Sequence, residues 1–362
     1  MNTLDIAHHR LYNQQIATQR FAQPAQVVAW LGAVQAQDFA GAKWSIGLRL
    51  PETTDKGIER AIIDRTIVRT WPMRGTLHFL AAEDVRWMLK LLTTRTIAGS
   101  ARRQQELELD GKVFARCEKL FIQALQGGRQ LSRDAIYALL EKNHISTGGQ
   151  RGYHILWRLA QEGLICFGAP EGKQQTFALL DEWVPKSKSL EREVALAELA
   201  QRYFSSHGPA SLHDFVGWSG LRIADAKAGL DAVASRLVQM KINDTVYWMP
   251  QELNVVNRTL STLFLLPGFD EFMLGYKDRT AALELQHADK ICPGSNGMFS
   301  PTLVWDGRVV GTWKRTFKKG TAVLQPTPFD SMTKTQTRAL APAAERYARY
   351  LGAPVILSCE EA

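Results

Sequence analysis

The chain has 362 residues, 45% of them hydrophobic, 22% charged and 9% aromatic, a composition that excludes collagen-like and wholesale-disordered chains. At about 100 to 200 residues per domain it is long enough for two to four domains and too long for one small module. Lys and Arg total 44 against 36 Asp and Glu, a net charge of +8 with a pI near 9.3, which favours a polyanionic partner without requiring one.

No run approaches the roughly 18 consecutive apolar residues of a membrane span, and mean hydropathy is −0.18, so no membrane partner is expected. The opening MNTLDIAHHR lacks the cationic and apolar segments of a secretory signal, which points to the cytoplasm. Cys117, Cys166, Cys292 and Cys359 form no Cys-x-x-Cys pair. They read as reduced thiols and suggest neither a disulfide framework nor a zinc knuckle.

Pro24 suits a first helical turn, and Val27, Trp30, Leu31 and Val34 recur at i, i+3, i+4 and i+7, which predicts an amphipathic helix over PAQVVAWLGAVQ. Shorter helices are expected around Ala40 to Leu48 and Lys56 to Asp64. TIVRTWPM and TLHFL then flank the turn Arg74-Gly75 as a hairpin. Three helices and a hairpin are the order of a winged helix. The order recurs where Ser132 can cap a helix carrying Ile136, Leu139 and Leu140, a helix over 150–162 stops at Gly163, and LICFG and QTFALL flank the polar tip APEGKQ. A third round runs from the helix Leu190 to Phe204 through ASLHDFVGWSGL and ADAKAGLDAV to a hairpin, LVQMKI and TVYWM, turning at Asn243-Asp244. A period of roughly 65 to 80 residues is too long for a short solenoid repeat.

Beyond about residue 253 come the β-branched and aromatic run TLFLL, the hairpin PTLVWDGRVVGTW turning at Asp306-Gly307, and TAVLQPTP. The helix TQTRALAPAAERYARYLG, read as interrupted by Pro342, and a last strand PVILS follow. The expected class is α+β, divided as 1-120, 121-185 and 186-252 for three winged-helix units and 253-362 for a β-rich C-terminal domain.

The chain contains no HExxH, GxxxxGK[ST] or GxSxG signature and no GxGxxG after a strand, so zinc hydrolase, P-loop and α/β-hydrolase chemistry lose support. Its eight histidines are not spaced as a metal set, and neither metal nor cofactor is expected. The informative segment is Gln35-Ala36-Gln37-Asp38-Phe39. Residues i and i+2 stand about 200° apart on an α-helix, so the two glutamines converge only if the chain leaves helical geometry at Gln35. A converging pair of amides, each with two donors and an acceptor, can hold a water without carrying charge. Spacing alone also allows, and by itself favours, two exposed helix-end glutamines.

Trp71 to His78 lies on the first hairpin, with Thr76 and His78 on one face and Arg74 at a turn, within reach of a phosphate or base edge or simply solvated. Trp313-Lys314-Arg315-Thr316-Phe317-Lys318-Lys319 interleaves four cations with two aromatics, a pattern suited to a nucleic-acid backbone or to a solvated strand and turn. Asp270 and Glu271 form a carboxylate pair in a loop that could act as a general base or pair with Lys277 and Arg279; spacing does not decide, and the structural role is favoured because unpaired carboxylates would repel a phosphate track.

Taken in order, VQAQDF, WPMRGTLH, GPASLHDFVGWSGL, LLPGFDEFMLGYKDR and NGMFSPTLVWDGRVVGTWKR resemble the AlkZ-type winged-helix DNA glycosylases over nearly the whole chain. The resemblance implies three tandem winged helices scaffolded with a barrel-like C-terminal domain around a concave basic cleft for DNA. It also implies a Gln-apolar-Gln catalytic motif, matched here by Gln35-Ala36-Gln37. A sister branch carries Asp in place of the second glutamine; Gln37 sets this chain nearer the crosslink-unhooking branch, with a smaller middle residue than the aliphatic ones expected there.

On that resemblance Gln35 and Gln37 hold a water for attack at C1′ of an N7-alkylated purine nucleotide. Arg74, His78, Lys314, Arg315, Lys318 and Lys319 would bind double-stranded DNA carrying alkylated or crosslinked purines. A bulky adduct cannot be flipped into a tight pocket, so an open, water-filled site is expected. The expected protein is a cofactor-free monomer, cytoplasmic and nucleoid-associated. Its rivals are a non-enzymatic winged-helix DNA-binding regulator and a scaffold for protein partners whose charge is incidental.

Overall fold

The computed structural model of the chain describes residues 3–172, 174–242, 244–251 and 261–358, which combine helices and strands in an α+β arrangement. Helix α1 (Thr3–Asn13) precedes α2 (Pro24–Leu31), which opens on Pro24 as its position dictates. The helix α2 ends four residues before Gln35 because Gly32 turns to φ +81°, a left-handed conformation that glycine adopts freely. Val34, expected on the apolar stripe of that helix, lies instead in the extended pair β1 (Val34–Gln35). Next, α3 (Phe39–Gly47) starts at Asp38, whose carboxylate accepts the Gly41 N–H at 3.0 Å. After α4 (Asp55–Ile63), strands β2 (Ile67–Met73) and β3 (Thr76–Ala81) pair antiparallel across Arg74-Gly75. The φ values of that dipeptide, +54° and +72°, suit a two-residue hairpin turn with both central residues left-handed.

Three helices that the sequence patterns did not mark follow: α5 (Val85–Gly99), α6 (Ala101–Glu106) and α7 (Gly111–Leu125). After the short β4 (Leu131–Ser132), α8 (Arg133–Lys142) begins on Ser132, whose hydroxyl accepts the Ala135 N–H at 3.2 Å. The helix α9 (Arg151–Gln161) gives way at Gly163, again at φ +81°. Strand β6 (Thr176–Leu179) lies between β5 (Ile165–Phe167) and β4, antiparallel to both, and leads into the single turn α10 (Leu180–Trp183). Helices α11 (Arg192–His207), α12 (Leu212–Ser219) and α13 (Ile223–Val233) precede the hairpin of β7 (Leu237–Ile242) and β8 (Thr245–Pro250). Asn243 of its turn lies outside the described residues, as does Cys359; Asp244 takes φ +64°.

The C-terminal stretch holds β9 (Leu263–Leu266), the short α14 (Glu271–Leu274) and α15 (Ala288–Ile291), and then β10 (Thr302–Trp305), β11 (Arg308–Lys318) and β12 (Thr321–Pro328). Helix α16 (Lys334–Leu351) and β13 (Val355–Leu357) complete it. The five strands order as β13-β12-β11-β10-β9 and curl into a half-barrel; β13 runs parallel to β12 and the other neighbours are antiparallel. Pro342 does not interrupt α16. It removes one N–H from the ladder, while a reciprocal cap between Thr333 and Gln336 and the buried face of Leu340, Ala343, Ala344 and Tyr347 keep the helix whole.

By compactness the chain forms two units, one of Met1–Ile58 with Ala197–Ala362 and the other of Glu59–Leu196. The core of the second joins Trp71, Phe121, Ile136, Ile155, Phe167 and Phe177. Cys117 belongs to it, and burial pushes that thiol up to about 11; Cys166 is buried as well. In the first unit Trp44 of α3 packs on Tyr347 and Tyr350 of α16, with ring centroids 4.9 and 4.8 Å apart. Its indole donates to the Leu265 carbonyl of β9 at 2.7 Å. The helix that begins at Asp38 is thereby fastened to both the half-barrel and α16.

Candidate active site

In an extended chain residues i and i+2 face the same side, and the departure from helix at Gly32 brings Gln35 and Gln37 together. Gln35 Nε2 donates to Gln37 Oε1 at 2.7 Å, and the Gln37 backbone N–H donates to Gln35 Oε1 at 3.1 Å. Gln35 is buried, at 5% exposure, whereas Gln37 is exposed. The contact uses the Gln37 carbonyl, so the chemistry of the amide leaves its amino group as a donor on the solvent side of the pair.

The structural role favoured for Asp270 and Glu271 holds, but through distant partners; Arg279, one of the nearby cations considered for them, donates from Nε to the Met273 carbonyl at 2.7 Å. Asp270 receives the two terminal nitrogens of Arg49 at 2.8 and 2.9 Å and the Ser45 hydroxyl at 2.6 Å, and it caps α14 through the Phe272 N–H at 2.9 Å. Burial pushes its carboxyl up. The charge of Arg49 and the hydrogen bonds from Arg49, Ser45 and Phe272 outweigh that push and hold it below the ordinary carboxylate range.

Glu271, fully buried, accepts the Gln35 backbone N–H on Oε1 at 3.3 Å. Its Oε2 accepts the Trp218 indole N–H at 2.9 Å and lies 3.3 Å from His207 Nε2. The Trp218 ring also fills the space beside Gly32, where a Cβ would stand 3.2 Å from Cη2. Two consecutive carboxylates thus hold both flanks of the glutamine segment: Asp270 ties down the helix that follows it, and Glu271 the strand that carries Gln35. Sequence reasoning missed Arg49, His207 and Trp218 as members of this site. One signal was available for Arg49, a lone cation inside the apolar run IGLRL, which requires a buried partner.

The other residues singled out from the sequence fall in separate places. His78 is buried, and its Nδ1 stands 3.0 Å from the Thr76 carbonyl, so that nitrogen carries the hydrogen. Its Nε2 faces Arg74 Nη2 at 3.4 Å, which makes His78 a support for the arginine. Arg74 is half-buried, and the Gly75 carbonyl beside it accepts the Trp157 indole N–H at 3.1 Å. Arg74 and His78 belong to the second unit; the glutamines and the cationic run belong to the first.

Within that run, strand alternation sets Lys314, Thr316 and Lys318 on one face of β11 and Trp313, Arg315 and Phe317 on the other. Arg315 donates to the Tyr347 hydroxyl of α16. Burial works against its charge, but Tyr347 together with Asp38 and Tyr350 outweighs it and raises its pKa above the ordinary value. Lys314, Lys318 and Lys319 are exposed, and Lys319-Gly320 turns the hairpin at φ +48° and +82°.

Among the described residues no helix is long and apolar enough to cross a membrane. An interstrand DNA cross-link repair glycosylase from Streptomyces sahachiroi is 26% identical over 373 residues, covering 95% of each chain. The solved structure of Streptomyces sahachiroi DNA glycosylase AlkZ has the same fold, with a TM-score of 0.80 at 22% identity over 99% of this chain and 100% of that one. The family model described as DNA glycosylase AlkZ-like matches residues 28–350, a span that includes the glutamine segment and both carboxylates that hold it. The chain therefore belongs to the AlkZ-like family of DNA glycosylases.

Proposed function

We propose that this DNA glycosylase releases N7-alkylated purines from duplex DNA by attack of a water held by the Gln35–Gln37 pair on its solvent side, and that interstrand crosslinks are among its substrates. The observation that carries the reading is the 2.7 Å contact joining the two amides at the end of an extended segment. Alkylation at N7 puts a positive charge on the base. When the C1′–N9 bond breaks, its electron pair neutralises that charge, so the base leaves without a proton from the enzyme. Water oxygen then bonds to C1′ and its extra proton passes to solvent. What the protein must supply is orientation, which neutral amides provide.

In this reading the helix and hairpin runs ending at β3, β6 and β8 act as winged helices. Arg74, braced by His78, and Lys314, Lys318 and Lys319 meet phosphates, and Arg315 adds its charge from behind Tyr347. The enzyme works as a cofactor-free monomer in the cytoplasm, at the nucleoid. The cross-link repair named for the Streptomyces relative supports the crosslink substrate, and membership in a glycosylase family displaces the regulator and scaffold readings.

The test follows abasic-site formation in duplex DNA carrying N7-methylguanine. Gln37→Ala is expected to slow release on the order of ten- to a thousandfold, as single orienting donors do elsewhere. A variant as fast as the wild type removes the glutamine mechanism, and no release by the wild type removes the N7-purine substrate.

A further inference from the structure

We infer that Glu271 is a positioning residue for glycosidic-bond cleavage: its carboxylate sets the plane of the Gln35 backbone amide and through it the direction of the Gln35 side chain. The inference rests on the reading in which Gln35 and Gln37 hold the attacking water. Strand β1 is only two residues long, too short for a run of ladder hydrogen bonds to fix its course. With so few ladder bonds, individual anchors weigh heavily in its placement, and the Gln35 N–H is anchored on Glu271 Oε1 at 3.3 Å.

That anchor cannot drift, because the carboxylate is itself held from the other side. Oε2 takes the Trp218 indole N–H at 2.9 Å and faces His207 Nε2 at 3.3 Å, where the acceptor-only carboxylate assigns the hydrogen to the imidazole. The His207 ring stacks on Tyr203 at 4.7 Å and 14°, and its Nδ1 meets the Ser206 hydroxyl at 2.8 Å. Trp218 closes the arrangement, since the indole that donates to Glu271 also abuts Gly32, the residue that ends α2. The start of the segment and its first glutamine are therefore referred to one buried group.

Glu271 differs in this from Asp270, whose partners Arg49, Ser45 and Phe272 are all structural. It differs also from a group that touches substrate, being fully buried. The Gln35 N–H, the Trp218 indole and the His207 imidazole all meet Oε1 or Oε2 as donors, so a carboxamide of the same shape must turn its NH2 toward at least one of them and lose that contact.

Single-turnover base release on saturating N7-methylguanine duplex tests the inference with Glu271→Gln and Glu271→Asp, each made alone and with Gln35→Ala. Displacement of a reacting group by about 1 Å costs on the order of a hundredfold. Glu271→Gln is therefore expected to lower the rate about ten- to a hundredfold, with DNA affinity changed by less than about threefold. In the Gln35→Ala background the same substitution should cost almost nothing, because the side chain it orients is gone. Glu271→Asp keeps the buried charge and withdraws it by one methylene from Gln35; it should fold where the carboxamide does not, with the same dependence on background. An equal loss in both backgrounds would reduce Glu271 to a structural residue. A wild-type rate in both Glu271 variants, with Gln35→Ala slow, would overturn this inference alone. Undiminished release by Gln35→Ala would overturn the glutamine mechanism and this inference with it.

Discussion

The glutamine segment and the tip of the β11–β12 hairpin are built in opposite ways. The segment of Gln35 and Gln37 is tied down by a capped helix, two buried carboxylates, an indole and a glycine in a left-handed conformation that strains any side chain. Around Lys318 and Lys319 there is a two-residue turn and open solvent. The difference follows from what each kind of group must do. An uncharged amide acts only through direction, which requires fixed backbone. A cation near a polyanion acts over a screening length of about 8–10 Å and works from many positions.

The comparison is broken most severely at its best-anchored point. Arg49→Met leaves the Asp270 carboxylate buried without its cation and is expected to destabilise the protein by about 3–5 kcal/mol, read from the shift of its urea unfolding midpoint. A loss below about 1 kcal/mol, the worth of an exposed pair, would mean that this pair does not hold the segment. The same carboxylate makes a smaller prediction in acid. Its native pKa lies below the unfolded value of 3.8, so its contribution to stability is complete above that pH and vanishes as pH falls through the native value. Asp270→Asn should flatten that acid limb of the stability curve; an unchanged limb would assign it to other carboxylates. The smallest effect belongs to the hairpin. Lys314→Ala and Lys318→Ala should each reduce the slope of log affinity against log salt by about one, leaving the base-release rate on saturating DNA intact. A slope untouched by both would take this face of β11 off the DNA.

Residues that act on their immediate neighbours were legible from the sequence. Arg74-Gly75, Asp306-Gly307, the Ser132 cap and the Gly163 stop depend on dihedral preferences and hydrogen bonds within a few residues, and each sits where local chemistry puts it. The meeting of Gln35 and Gln37 was legible as a condition, since i and i+2 converge only off the helix. Where the helix ends was not, because Val34 completes an apolar stripe and Gly32 alone marks the break. The structural role of Asp270 and Glu271 was legible, but their partners were hidden for the converse reason. Lys277 and Arg279 are close in sequence, but the partners that bury these carboxylates, Arg49, Gln35, His207 and Trp218, lie 53 to 236 positions away, beyond any pattern of spacing. Arg315 looked like one more cation in a basic run; only strand alternation and the position of α16 turn it inward to Tyr347.

The 236 positions between Gln35 and Glu271 also order events in time. A ribosome completes the glutamines early and must translate most of the remaining chain before the carboxylate that aims them exists. Until then the segment can emerge, and even fold about its own helix cap, without a set direction. The anchor of Gln35 is thus acquired late in synthesis, after the turn at Arg74 and the second unit have been made, so a truncated product ending before residue 271 would keep both glutamines and Arg74 yet lack the carboxylate that holds Gln35 and the lysines of β11 as well.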